Sequence, residues 1–193
     1  MPHTPVITTQ RLRLRPHAAS DFKALHALWN DTSVTEMITG HPSTEAESWG
    51  RLLKYAGHWS VLGYGYWAVE NKETGEYLGE VGLADYRRGI APEFDGNPEA
   101  GWIFAKHAQG KGYAREAMRG VLDWADRSLV AEKSVCMIIA THARSIRLAQ
   151  ELGFNTFGSS ETKDSILLLF ERARNTPCSS GSSHKTAISW DET

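Results

Sequence analysis

Ala114, Ala117, Met118, Val121, Leu122 and Ala125 fall at i, i+3, i+4, i+7, i+8 and i+11. An apolar stripe of that regularity is one face of a helix, and it has to be covered by another element. What precedes it narrows the fold further. A β-rich run at 99–105 leads into Gln109-Gly110-Lys111-Gly112-Tyr113-Ala114, which gives a strand, a glycine turn and a helix in series. Two glycines let the backbone approach an anion closely, and a helix starting near Gly112 aims its unpaired N–H groups and positive dipole end at that anion. The turn therefore reads as a phosphate cradle.

The rest of the chain supplies a sheet around this unit. Arg11-Leu12-Arg13-Leu14-Arg15 alternates strictly, which predicts a half-buried strand ending at Pro16. Ser20 predicts the cap of a helix carrying Phe22, Leu25, Leu28 and Trp29. A second helix is expected from Ser43 or Thr44, with Glu45 and Glu47 in its first turn and Trp49, Leu52, Leu53 and Ala56 along it. Gly65 to Glu70 and Tyr77 to Leu83 predict an antiparallel pair joined through residues 71–76. Residues 87–98 form an acidic loop with Glu93 and Asp95. Val135 to Ala140 reads as a strand buried on both faces, 144–152 as a helix stopped by Gly153, and Phe154 to Gly158 and Ile166 to Phe170 as two more strands. The fold class is α/β (mixed α+β), with a mixed sheet and helices on both faces.

Composition bounds the partners. With 193 residues, 41% of them hydrophobic, one main domain is expected. Its 21 Lys+Arg against 23 Asp+Glu give a net charge of −2, so no basic footprint for nucleic acid exists, and small molecules or peptides are the expected partners. Cys136 and Cys178 form neither a disulfide framework nor a zinc spacing, and the histidines show no His-x-x-x-His pair. A reduced, cytoplasmic setting without a metal is the expectation. No apolar stretch approaches the roughly 20 residues of a membrane span. From 173 to 193 the chain turns polar, with Ser179-Ser180-Gly181-Ser182-Ser183, and is expected to be a disordered tail.

Two familiar phosphate loops do not fit the turn. A Walker A loop needs Ser or Thr after its Gly-Lys, whereas Gly112-Tyr113 follows Lys111 here; a dinucleotide fingerprint needs a third Gly or Ala at fixed spacing and an initial βαβ unit. The spacing Gln109-x-x-Gly112-x-Ala114 instead resembles the acetyl-coenzyme A pyrophosphate loop of the GNAT superfamily of N-acetyltransferases. Thr8 to Arg15, Leu78-Gly79-Glu80-Val81-Gly82-Leu83 and Ser145 to Phe154 are similar to segments of its ribosomal-protein N-terminal (alanine) acetyltransferase subgroup, in the same order. The resemblance covers residues 6 to 172.

It implies a mixed, mostly antiparallel sheet whose strands at 99–105 and 135–140 splay apart into a wedge for the pantetheine arm of acetyl-CoA. Ile103, Phe104 and Ala105 would offer backbone groups to that arm. The amides of Gln109, Gly110, Lys111, Gly112, Tyr113 and Ala114 would hold the pyrophosphate, with the Lys111 side chain free to approach a phosphate. Acetyl transfer needs a neutral amine, an oxyanion donor and a proton for the leaving thiolate. Glu99 is the implied general base, acting directly or through water, with Glu80 and Asp85 as alternatives, and an N–H near Phe104 or Ala105 is the implied oxyanion donor.

The chain departs from the general pattern at two positions, since Ala149 replaces the usual tyrosine acid and His142 a cofactor-binding asparagine. Ser145 or water then protonates the thiolate, unless it leaves unaided. Ser145 and His142 are also candidate cofactor contacts. The subgroup implies a protein N-terminal α-amine as acceptor. A small amine, amino-sugar or antibiotic is the alternative, and a catalytically weak acyl-CoA-binding sensor or interaction module, or a nucleotide-binding enzyme, are readings from other classes. The run Gly63-Tyr64-Gly65-Tyr66-Trp67 is core or acceptor pocket, and the acidic loop could draw a cationic acceptor. The protein is expected to be a monomer or homodimer.

Overall fold

The computed structural model describes residues 4–162 and 165–175. Its elements are β1 (Ile7–Thr8), β2 (Leu12–Arg15), α1 (Phe22–Trp29), α2 (Thr32–Thr35), α3 (Glu45–Leu62), β3 (Tyr66–Asn71), β4 (Tyr77–Ala84), β5 (Glu99–Phe104), α4 (Tyr113–Ser128), β6 (Lys133–Ile139), α5 (Ala143–Glu151), β7 (Asn155–Glu161) and β8 (Ile166–Ala173). They build one sheet in the order β1-β2-β3-β4-β5-β6-β8-β7, antiparallel at every junction except β5 beside β6.

The helical stripe does what its spacing predicts. Ala117, Met118, Val121, Leu122 and Ala125 of α4 are buried against Leu12, Leu14, Trp67, Val69, Val81 and Leu83, one face of the sheet. Leu25, Leu28 and Trp29 of α1 and Leu52 and Tyr55 of α3 cover the other face around Tyr66 and Ile103. Arg172 of β8 and Asp126 of α4, both buried, meet through two hydrogen bonds of 2.9 and 2.6 Å that lock the C-terminal strands to that helix.

Several local expectations are corrected. The pair of helices before β3 is a trio, because Asp31 caps the single-turn α2 through Ser33 N–H at 2.9 Å. Ser20 is not a cap: it sits in a short 3-10 turn, where Asp21 accepts from Ala18 N–H (2.8 Å) and from the Arg15 guanidinium. Thr44 and Glu47 do form the reciprocal capping pair of α3. Its buried face, however, is Ser48, Leu52, Tyr55 and Trp59, while Trp49 and Leu53 are exposed. β8 runs on to Ala173, and Arg174 Nε donates to Asp126 O (2.9 Å). The Ser-rich tail, with Cys178, lies outside the described residues.

One row of the sheet is built on missing side chains. Tyr66, Gly82 and Gly101 stand abreast on β3, β4 and β5. A Cβ on Gly82 would come within 2.4 Å of Tyr66 Cα, and one on Gly101 within 1.9 Å of the Tyr66 hydroxyl, so the phenol lies across both glycines. Backbone blocks the first position and only a side-chain tip the second. Gly82→Ala is therefore expected to cost about 2 kcal/mol in urea unfolding, and a loss under about 0.5 kcal/mol would show that β4 can shift to make room.

Candidate active site

β5 and β6 touch at one end alone. Glu99 stands opposite Val135, whose N–H donates to Pro98 O at 3.0 Å, and beyond that point the strands are unpaired. The gap this leaves opens into a cavity of about 370 Å³ that brings Glu99, Ile103, His142 and Ser145 together with Trp102 and Cys136. The expected splay is present, with four of the predicted residues around it.

Hydrogen-bond alternation decides which backbone groups face the gap. Ala105 N–H donates to Leu78 O of β4 (2.9 Å), and neighbouring residues along a strand point their backbone groups to opposite sides. Ile103 and Ala105 are thus turned to β4, which corrects the expectation for those two; Trp102 and Phe104 are turned to the gap. Phe104 O is already taken by Gln109 Nε2 at 3.0 Å, leaving the Phe104 N–H.

The glycine turn closes the far end of β5. Gly110 and Gly112 have φ of 75° and 78°, the left-handed region that only glycine adopts freely. Gly112 is the N-cap of α4; among the described residues beyond the chain neighbours, nothing lies within 4 Å of a Cβ on Gly110, and only Arg11 Nη2, at 3.6 Å, lies near one on Gly112. Open space and free helix-start amides are what a pyrophosphate needs. Gln109 plays another part than expected: its N–H donates to Lys106 O (3.2 Å) and its side chain to Phe104, so it shapes the turn. Lys111 is exposed. Tyr113 packs beneath the Arg11 guanidinium, 4.6 Å from the ring centroid, and half-buried Ala114 packs on the core.

Arg11 escaped the sequence reading, which saw only a charged residue on the polar face of β2. Its Nη1 donates to Lys111 O at 2.9 Å, its Nε to Glu116 Oε2 at 2.7 Å and its backbone N–H to Glu116 Oε1 at 2.7 Å. Burial pushes the Glu116 carboxyl up, but Thr9 and Arg11 outweigh it and hold the group below the usual carboxylate range. The first hairpin thereby braces the turn from more than 100 residues away in sequence.

Glu99 is 8% exposed. Burial pushes its carboxyl above the usual range, opposed by Arg88, whose Nε and Nη2 each donate to it at 2.9 Å. Arg88 was hidden in the loop read as acidic. Asp95 of that loop is spent internally, accepting from Arg88 and Gly89 N–H at 3.0 and 2.6 Å, and Phe94 anchors the loop in the core. The alternative bases fare worse. Glu80 is fully buried and accepts from Trp29, Tyr55 and Tyr77, while Asp85 is paired with Arg87 at 2.8 Å.

Ser145, on the first turn of α5, accepts a 3.3 Å hydrogen bond from Trp102 Nε1, which leaves its O–H free to donate. His142 precedes that helix; burial, with Arg144 beside it, pushes its imidazole down and favours the neutral form. Of the aromatic run, Trp67 is core, in edge contact with Trp59 and Trp124, whereas Tyr66 lines the cavity. No group of His, Cys, Asp and Glu able to hold a metal occurs among the described residues, and none of their helices is long and apolar enough to cross a membrane.

The fold recurs in solved structures. A Bordetella pertussis protein described as a GNAT-family acetyltransferase is 34% identical, with a TM-score of 0.80 over 88% of this chain and 100% of that one. The spermidine N-acetyltransferase of Vibrio cholerae, crystallised with CoA and spermine, shares the fold at 20% identity, a TM-score of 0.68 and coverage of 85% and 96%. The ribosomal-protein-S5-alanine acetyltransferase of Vibrio fischeri does so at 17%, 0.72, and 89% and 98%. Residues 11–155, from the brace of the turn to the start of β7, match the family model for the acetyltransferase (GNAT) domain, and the chain belongs to that family of acetyl-CoA-dependent N-acetyltransferases.

Proposed function

We propose that the Gly110–Ala114 turn binds the pyrophosphate of acetyl-CoA, that its thioester reaches the cavity between β5 and β6, and that Glu99 takes the proton of an amine entering from the α1–α3 side. The observation that carries this is the meeting of Glu99, Trp102, His142 and Ser145 around one gap, at the end of a strand that runs into the open turn. The amine nitrogen attacks the thioester carbonyl, the C–N bond forms and the C–S bond breaks. The Phe104 N–H faces the developing oxyanion, and the Ser145 hydroxyl, oriented by Trp102, supplies the proton to sulfur. His142, neutral, contacts the pantetheine arm. The subgroup resemblance favours a protein N-terminal α-amine, the acceptor in the Vibrio fischeri enzyme's name, while the name of the Vibrio cholerae enzyme carries a small polyamine. The fold serves both.

Thiol release from acetyl-CoA across amines and peptides tests the reading; saturable CoA binding without release from any acceptor would leave a sensor. For the base, Glu99→Gln should lower kcat about 10²-fold. A base works deprotonated, so wild-type activity rises with pH through the elevated Glu99 pKa, and this acid limb disappears in the variant. An unaltered profile would reassign the base.

A further inference from the structure

On the acceptor side of the cavity the charges do not cancel. Arg88 and Glu99 satisfy each other, but α3 adds Arg51 and Lys54, one turn apart, on the same wall. No carboxylate pairs with either among the described residues. The Arg51 guanidinium lies 3.4 Å from the Trp29 ring centroid, and its Nε is buried without a hydrogen-bond partner. Lys54 stands over Tyr86 at 5.6 Å. The Nη groups of this half-buried guanidinium make no hydrogen bond among the described residues, and on a cavity wall such a fork suits an oxyanion.

Resting on the acetyltransferase reading, we propose that the acceptor is a small primary amine bearing a carboxylate, which pairs with Arg51 and Lys54 while the amine faces Glu99. A polyamine would set further positive charge against both cations. A peptide N-terminus presents a neutral amide carbonyl where an amino acid has its carboxylate, and so leaves the fork unneutralised. The cavity, about 370 Å³, must also admit the thioester end, which keeps the enclosed acceptor small. Trp29, Tyr86, Met37 and Ile38 in its walls suit an apolar or aromatic body.

Thiol release with phenylalanine, phenylalaninamide, spermidine and an alanine-initiated peptide tests this directly. kcat/KM for phenylalanine should exceed that of its amide about 30-fold, the scale of one charge-assisted pair. Arg51→Gln should erase that margin by raising KM for phenylalanine, leaving the amide within about 3-fold. Lys54→Gln should move in the same direction, which keeps the test decisive if Arg51→Gln disturbs Trp29. Equal rates for acid and amide, a preference for spermidine or the peptide, or equal losses on both probes would overturn the proposal. If no probe releases thiol, calorimetry of phenylalanine on the CoA-loaded protein decides this proposal apart from the acetyltransferase reading: Arg51-dependent binding upholds it, and no binding overturns it.

Discussion

Gly112→Trp should weaken CoA binding about 10³-fold, or roughly 4 kcal/mol, in a protein that still folds. Two costs add. A non-glycine residue at φ 78° is strained by about 1–2 kcal/mol, and a turn that relaxes away from that conformation misdirects the helix-start amides, each worth about 1.5–3 kcal/mol to a charged oxygen. The indole also fills the space the anion needs. Stability should suffer less, because among the described residues beyond its chain neighbours the only atom within 4 Å of a Cβ there is Arg11 Nη2 at 3.6 Å, the tip of a flexible side chain. Calorimetric titration with CoA, beside circular dichroism of the variant, separates the two effects. Unchanged affinity in a folded variant would remove the turn from the donor site.

Glu80→Ala is expected to act on the fold, lowering the unfolding free energy by about 4 kcal/mol, a large part of the 5–15 kcal/mol typical of a domain. The carboxylate accepts from Trp29 Nε1 at 2.9 Å, Tyr55 OH at 2.8 Å and Tyr77 OH at 2.7 Å, with His17 Nε2 3.5 Å away. Truncation strands three donors at once, two of them buried and the third partly so. Glu80→Gln keeps an acceptor oxygen and should lose less. Urea unfolding measures both, and a loss below about 1 kcal/mol for the alanine variant would mean that water or a new partner replaces the carboxylate.

The pH dependence has a definite sign. Burial pushes Glu80 up, but His17, Trp29 and Tyr77 outweigh it and hold the folded pKa below the usual carboxylate value. Its contribution is therefore complete above the unfolded pKa and is lost as pH falls through the folded one. Acid sensitivity should shrink in Glu80→Gln. Glu99 runs the other way: its raised pKa means that ionisation at neutral pH opposes folding, a cost consistent with a group held for chemistry.

Glu80 also shows why the site was only partly legible. The family resemblance pointed to Glu99 as the base, with Glu80 and Asp85 as alternatives, and the sequence held nothing to choose among the three. Which one faces the cavity depends on strand register, and which has a free oxygen depends on donors from α1 and α3 that no local pattern announces. The aromatic run at 63–67 was ambiguous for a related reason: alternation sends Trp67 and Tyr66 to opposite faces, so one is core and the other cavity wall. In α3, Trp49 and Leu53 looked like core by hydrophobicity, yet the packing phase buries Ser48 and Tyr55.

Local chemistry determined the elements and the glycine turn. Period, glycine placement and spacing define β5, the Gln109–Ala114 turn and α4, because those depend on neighbours a few residues apart. Tertiary structure alone decided the cavity wall on the α1–α3 side. The Arg11 brace and the Arg88 clamp on Glu99 join segments 105 and 11 residues apart, and Arg51 and Lys54 of α3 meet no carboxylate among the described residues. Their charges acquire partners, or lack them, only once the sheet has brought its strands and helices together.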